Sequence, residues 1–139
     1  MNEGVIIGAA VGALFGVVMV IVGAARKGSA ATMAHTPRME LLFCDMPREQ
    51  AFQRIVEAAG ADRYRVPYSD PERGEILLAT PMTLFSFGFF YPIYVLAKEG
   101  RTRVDVGIKS KAFQWGPVVT RNHRQCVALV RRALDLGAA

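Results

Sequence analysis

Residues 4–25 read GVIIGAAVGALFGVVMVIVGAA and carry no charged side chain. As a helix rising about 1.5 Å per residue, such a stretch spans roughly 33 Å, enough for a hydrocarbon core of about 30 Å. Gly4, Gly8, Gly12 and Gly16 recur at every fourth position. On a helix that spacing leaves one face without side chains, where a second helix can approach closely. The stretch predicts an uncleaved transmembrane helix that packs against a copy of itself or against another subunit. A cleaved signal peptide fits less well, because the start, Met-Asn-Glu-Gly, is not basic and the apolar run is long.

Charge gives the expected orientation. Glu3 is the only charge before Arg26, so all 17 Lys and Arg stand against 11 acids in the remainder. Arg26 and Lys27 follow the apolar run at once. The positive-inside rule then predicts a single-pass protein of the cell (inner) membrane, of bacterial type, with its C-terminal domain in the cytoplasm. Residues 26–37 are small and polar and read as a tether, with His35 solvated there. About a hundred residues remain, enough for one core.

Residues 38–139 read as one α+β domain. Met39 to Cys44 has the texture of a short strand. Asp45 stands where a helix cap is wanted, with Pro47 in the first turn. Phe52, Ile55, Val56 and Ala59 follow at helical spacing, and Gly60 suits a C-terminal cap. Arg63 to Ser69 holds Pro67 and reads as an edge strand. Asp70-Pro71-Glu72-Arg73-Gly74 is a turn, and Glu75 to Thr80 its partner strand.

From Ile76 to Ala97 there is again no charge. A second membrane span or a membrane-dipping loop has the length, but Pro81 and Pro92 interrupt the run. A second span would also place one of two basic sets outside: residues 26–75 carry eight Lys and Arg, and residues 98–139 nine. Strand, loop and strand is the preferred reading. Thr102 to Ser110 alternates most clearly, with Val104, Val106 and Ile108 on one face and Arg103, Asp105 and Lys109 on the other. A last helix over 118–136 presents His123, Cys126, Val127, Val130, Ala133 and Leu134 on one side. The predicted architecture is a transmembrane helix followed by β-α-β-β-β-β-α, an antiparallel sheet with both helices on one face.

No catalytic motif or metal-ligand cluster is legible, and no cofactor or metal is implied. His123 and Cys126 are three apart and admit a thiol–imidazole pair, but the same spacing describes a buried stripe. Two features suggest contact with a membrane or a partner. One is the aromatic stretch with Phe85, Phe87, Phe89, Phe90 and Tyr91, read as a loop that either packs under the sheet or is exposed. The other is the acid-free run between Asp105 and Asp135, with Lys109, Lys111, Arg121, Arg124, Arg131 and Arg132, suited to anionic lipid or an acidic surface. Nucleic acid is disfavoured, because the aromatics and the basic groups are not interleaved. The leading expectation is a non-catalytic accessory or self-associating membrane subunit using its glycine face. The alternative is a membrane-surface module that binds lipid or an apolar ligand.

Overall fold

The computed structural model describes residues 38–81, 88–111 and 116–137. The elements are β1 (Met39–Cys44), α1 (Arg48–Gly60), β2 (Arg65–Asp70), β3 (Glu75–Ala79), β4 (Phe89–Lys98), β5 (Arg101–Gly107), β6 (Lys109–Ser110) and α2 (Pro117–Ala133). The strands form one antiparallel sheet in the order β1-β5-β4-β3-β2, with β6 also on β4. Residues 76–79 and 89–97 are thus strand residues, and residues 82–87 lie outside those described.

Both helices cover the same face of the sheet. Leu42 and Cys44, Ile76 and Leu78, Phe89 to Val95 at odd positions, and Val104 to Ile108 at even positions join Ile55 and Ala59 of α1 and Cys126, Leu129 and Val130 of α2 in one core. Alternation along each strand is what delivers these side chains to one side. Arg54 of α1 pairs with Asp135, just beyond α2, and binds the two helices together at the surface.

The expected architecture is corrected in two respects. The transmembrane helix is unsupported. Residues 4–25 lie outside the described residues, and among the described residues no helix is long and apolar enough to cross a membrane. The longest described helix, α2, has 17 residues and four arginines, or roughly 25 Å of amphipathic rod against about 30 Å of hydrocarbon. The strand order also gains an element, giving β-α-β-β-β-β-β-α. The expected strand 102–110 breaks at Ile108, although β5 and β6 pair with β4 in one unbroken register. Pro92 explains the break. The Lys111 N–H donates to the Gly88 carbonyl, so even positions of β4 turn their backbone groups toward β5 and β6. Pro92, opposite Gly107 in that register, has no N–H to give.

Two caps also differ from expectation. Asp45 makes no cap; α1 begins after Pro47 with no side-chain capping bond, and the Asp45 carboxylate accepts from Arg101 Nε at 2.9 Å. Gly60 ends the helix in helical geometry and Ala61 follows as the C-cap. The β4–β5 turn is Glu99-Gly100, both at positive φ, the pattern that suits the twist of a two-residue hairpin.

The β2–β3 turn is held from outside the sheet. Asp70 Oδ1 accepts from the N–H groups of Glu72 and Arg73. Arg48, in the first turn of α1, donates to the carbonyls of Val95 and Glu72 at 3.0 and 2.8 Å. Gly74 lies beneath that guanidinium at φ +68°, and a Cβ there would stand 2.2 Å from the Val95 carbonyl oxygen. Gly74→Ala therefore carries both left-handed strain and a backbone collision, and we expect a loss of about 2–4 kcal/mol, read as a lowered midpoint in urea unfolding. A midpoint within error of the parent would contradict this account of the turn.

Candidate functional site

Helix α2 is built from one end with a purpose visible in its residues. Gly116, at φ +69°, precedes it and Pro117 takes its first turn. The Thr120 N–H donates to the Gly116 carbonyl, and Arg38 Nη1 donates to Thr120 Oγ1 at 2.6 Å, tying the helix start to the chain just before β1. The inner stripe, Cys126, Leu129 and Val130, is buried. With about 3.6 residues per turn, Arg121, Arg124, Ala128 and Arg132 then fall on the opposite side. Arg121, Arg124 and Arg132 are exposed, and none has an acidic partner among the described residues. Arg131 is half-buried and donates from Nε to the Gly137 carbonyl at 2.9 Å. The helix carries no acid in its first turn, and Arg131 and Arg132 stand in its last, where cations complement the negative end of the helix dipole.

A groove of about 600 Å³ runs beside this face. Val127, Ala128 and Leu136 give it apolar walls, and Arg124, Arg131 and Arg132 give it a cationic rim. Glu40 of β1 is the one carboxylate among its described lining residues. A shallower depression, about 750 Å³, shares Arg124 and Ala128 and adds Arg121 and Thr120. The two together follow α2 and offer positive charge beside apolar surface.

His123 and Cys126 do not form a reactive pair. The His123 Nε2 lies 2.9 Å from the Val106 carbonyl oxygen; a carbonyl only accepts, so Nε2 carries the proton. Cys126 is fully buried in the core, and burial pushes its thiol far above the ordinary range. A thiol held neutral in this way is a poor nucleophile. Cys44 is also buried, with its thiol raised chiefly by that burial.

The expected contact residues divide. Phe89, Phe90 and Tyr91 are not in an exposed loop: they open β4 and are buried. Phe89 and Tyr91 face the helices, where Tyr91 stacks edge-on to Tyr64 with ring centres 5.4 Å apart. Phe90 faces the opposite side with Leu77, Ala79 and Tyr68. Phe85 and Phe87 lie outside the described residues, as do Gly4, Gly8, Gly12 and Gly16. Lys109 is exposed. Lys111 is buried, its ammonium donating to the Thr80 carbonyl at 2.8 Å and lying 5.0 Å from the centre of the Phe90 ring. Burial, with a further push from Arg65, lowers its pKa. Arg121, Arg124, Arg131 and Arg132 are brought together with the groove.

Sequence reading missed several elements. Glu40 and Leu136 line the groove although they are far apart in the chain, and nothing in periodicity announces that. Asp105 is on the face opposite Val104 and Val106, as its spacing predicts, yet it is 1% exposed and clasped by Arg103 through two bonds of 2.7 Å. An i, i+2 Arg-x-Asp on one strand face was the available signal. The Tyr91 hydroxyl is buried without a hydrogen-bond partner of ordinary geometry; desolvation raises its pKa, and the nearby Thr80 hydroxyl offsets part of that rise.

Neither a family model nor a curated protein sequence matches the chain. Among solved structures, one titled "Crystal structure of Ara h 8.0201" aligns with a TM-score of 0.46 and 10% identity, covering 70% of this chain and 93% of that one.

Two measurements follow from the buried titratable groups. Cys126, Tyr64 and Tyr91 are all shifted upward, so the folded chain holds their protons more tightly than the unfolded chain. The stability they contribute is complete below the ordinary thiol and phenol values of 9.0 and 10.0 and is lost as pH rises past them. Lys111 works the other way, gaining stability as pH rises, but it is one group against these three and Cys44, which is raised as well. The urea midpoint is expected to fall between about pH 8 and about pH 11; a flat or rising midpoint would sink this accounting. A thiol reagent at neutral pH should label neither cysteine until the chain unfolds, and rapid native labelling of Cys126 would show the core to be open.

Proposed function

We propose that the domain is a non-catalytic binding module that docks on the anionic headgroups of a membrane surface through the outward face of α2. The observation that supports this reading most is the set of exposed arginines, Arg121, Arg124 and Arg132, on one helix face with no acidic partner among the described residues. A merely solvated face gains nothing from concentrating one sign of charge, since like charges in the same turn repel. The adjoining groove strengthens the case, because Val127, Ala128 and Leu136 give an acyl chain somewhere to lie beside the charged rim. The aromatic residues Phe89, Phe90 and Tyr91 take no part, being buried. The glycine face of residues 4–25 lies outside the described residues and adds no support.

Each basic residue near an anionic leaflet is worth on the order of 1 kcal/mol. The test is flotation of the full chain with vesicles of neutral lipid and with vesicles containing anionic lipid. Binding gained with anionic lipid is expected to fall by about a hundredfold when Arg121, Arg124 and Arg132 are all replaced by Ser, and to weaken with salt. Equal recovery on neutral and anionic vesicles, or a triple variant that binds like the parent, would refute the reading.

A further inference from the structure

We infer that β1 is a self-association edge: two copies of this chain pair antiparallel through β1, with Leu41 of one opposite Phe43 of the other. Among the described residues, the strand order begins with β1 and ends with β2, and the two-residue β6 lies off this path. They are treated differently. β2 contains Pro67, a register shift between Arg65 and Tyr68, and a charge at each end, Arg65 and Asp70. Those are the devices by which an edge strand is kept from pairing with another chain. β1 has neither the proline nor the register shift, and Glu40 is the one charged residue within it. Its six residues, MELLFC, hold neither proline nor a basic residue, and they pair with β5 in an unbroken register from Met39 to Cys44.

The phase of the ladder says which backbone groups of β1 point outward. The bond from Lys111 N–H to Gly88 carbonyl fixes odd positions of β5 as those bonded to β4. Even positions of β5 therefore bond β1, and their partners are Glu40, Leu42 and Cys44. The N–H and carbonyl groups of Leu41 and Phe43 are turned away from the sheet, and no described strand lies there. Their side chains make the same statement. Leu41, Phe43 and Leu96 are 50%, 42% and 37% exposed, the exposed large hydrophobics of the described residues. All three stand on the face turned away from α1 and α2, where Phe43 and Leu96 flank Arg103.

A second copy fits this edge better than an arbitrary strand. Antiparallel pairing about a two-fold axis keeps the faces turned away from α1 and α2 on the same side, so odd positions must oppose odd positions. Leu41 opposite Phe43 then satisfies four outward backbone groups of each copy and buries the two apolar pairs side by side. The ends agree in charge. Arg38, which also donates to Thr120, stands just before β1, and Asp45, which accepts from Arg101, stands just after it, both exposed; antiparallel pairing sets the basic start of one strand beside the acidic end of the other, twice.

Amide hydrogen exchange of the full chain in mild detergent, at several protein concentrations, tests this. The Leu41 and Phe43 amides are expected to exchange at least about tenfold more slowly at high concentration than on dilution, while Ile93 in the sheet centre stays protected throughout. Phe43→Lys should abolish the protection at Leu41 and leave Ile93 unchanged; should that variant lose protection at Ile93, Leu41→Ser, read at the Phe43 amide, takes its place. Exchange at open-chain rates at every concentration overturns the proposal, even if the chain associates through another part. Protection independent of concentration also overturns it, because the edge would then be covered from within the same chain.

Discussion

Strand β4 is the constraint on which the rest depends. It is the longest strand, it is bonded on both sides, and its odd side chains form the floor under both helices. Phe89, Tyr91, Ile93 and Val95 are all fully buried. Each such side chain contributes about 1.5–3 kcal/mol relative to exposure. The even positions of the same strand then have to face the other way, so Phe90 and Pro92 are committed to the side away from α1 and α2. One strand thereby sets two surfaces at once, and a slip of one residue would exchange them.

That commitment explains where polar groups end up. The side away from α1 and α2 holds Asp105 and Lys111, both nearly inaccessible. A buried ion is tolerated only when its partners are close. Arg103 grips Asp105 with two parallel bonds, and Lys111 reaches the Thr80 carbonyl across Gly88, where a Cβ would press on both. On the helix side the geometry is less accommodating, and the Tyr91 hydroxyl is left without an ordinary partner. Its ring packs against Tyr64 and Phe89, so packing of the aromatic body holds the residue where its polar tip is poorly served.

The outward face of α2 is a consequence of the same floor. Cys126, Leu129 and Val130 must meet the sheet, and helical geometry then directs Arg121, Arg124 and Arg132 to solvent. Arg131 sits at the margin and closes the helix end on Gly137. The groove beside them exists because Glu40 on β1 and Leu136 beyond α2 are brought alongside the helix. At the other margin of the sheet, Arg48 and Gly74 lock the β2–β3 turn against β4. The chain is thus braced at its β2 side, while β1 ends the described strand order on the other side with Leu41 and Phe43 exposed.

Much of the element plan was legible in local pattern. The alternation of Val104, Val106 and Ile108 marked the buried side of β5, and the spacing of Phe52, Ile55 and Ala59 marked the inner face of α1. Pro67 signalled an edge strand and Asp70 to Gly74 a turn, because those residues act through their own backbone. What failed depended on neighbours far along the chain. Asp45 had the chemistry of a cap, but Arg101, 56 residues on, took its carboxylate. Phe89 to Tyr91 resembled a loop because an uncharged aromatic run has no period; only pairing with β3 and β6 makes it strand. Ile108 falls between strands because of Pro92, across the ladder. Sequence by itself determined the alternation of strands, the inner faces of the helices and the concentration of arginines near the C-terminus, since those follow from spacing and side-chain type. Tertiary structure alone decided that Asp105 and Lys111 are buried, that Glu40 and Leu136 share a groove with Arg124, and that β1 ends the described strand order. Burial and strand order are properties of contacts between distant segments, and no local window of residues contains them.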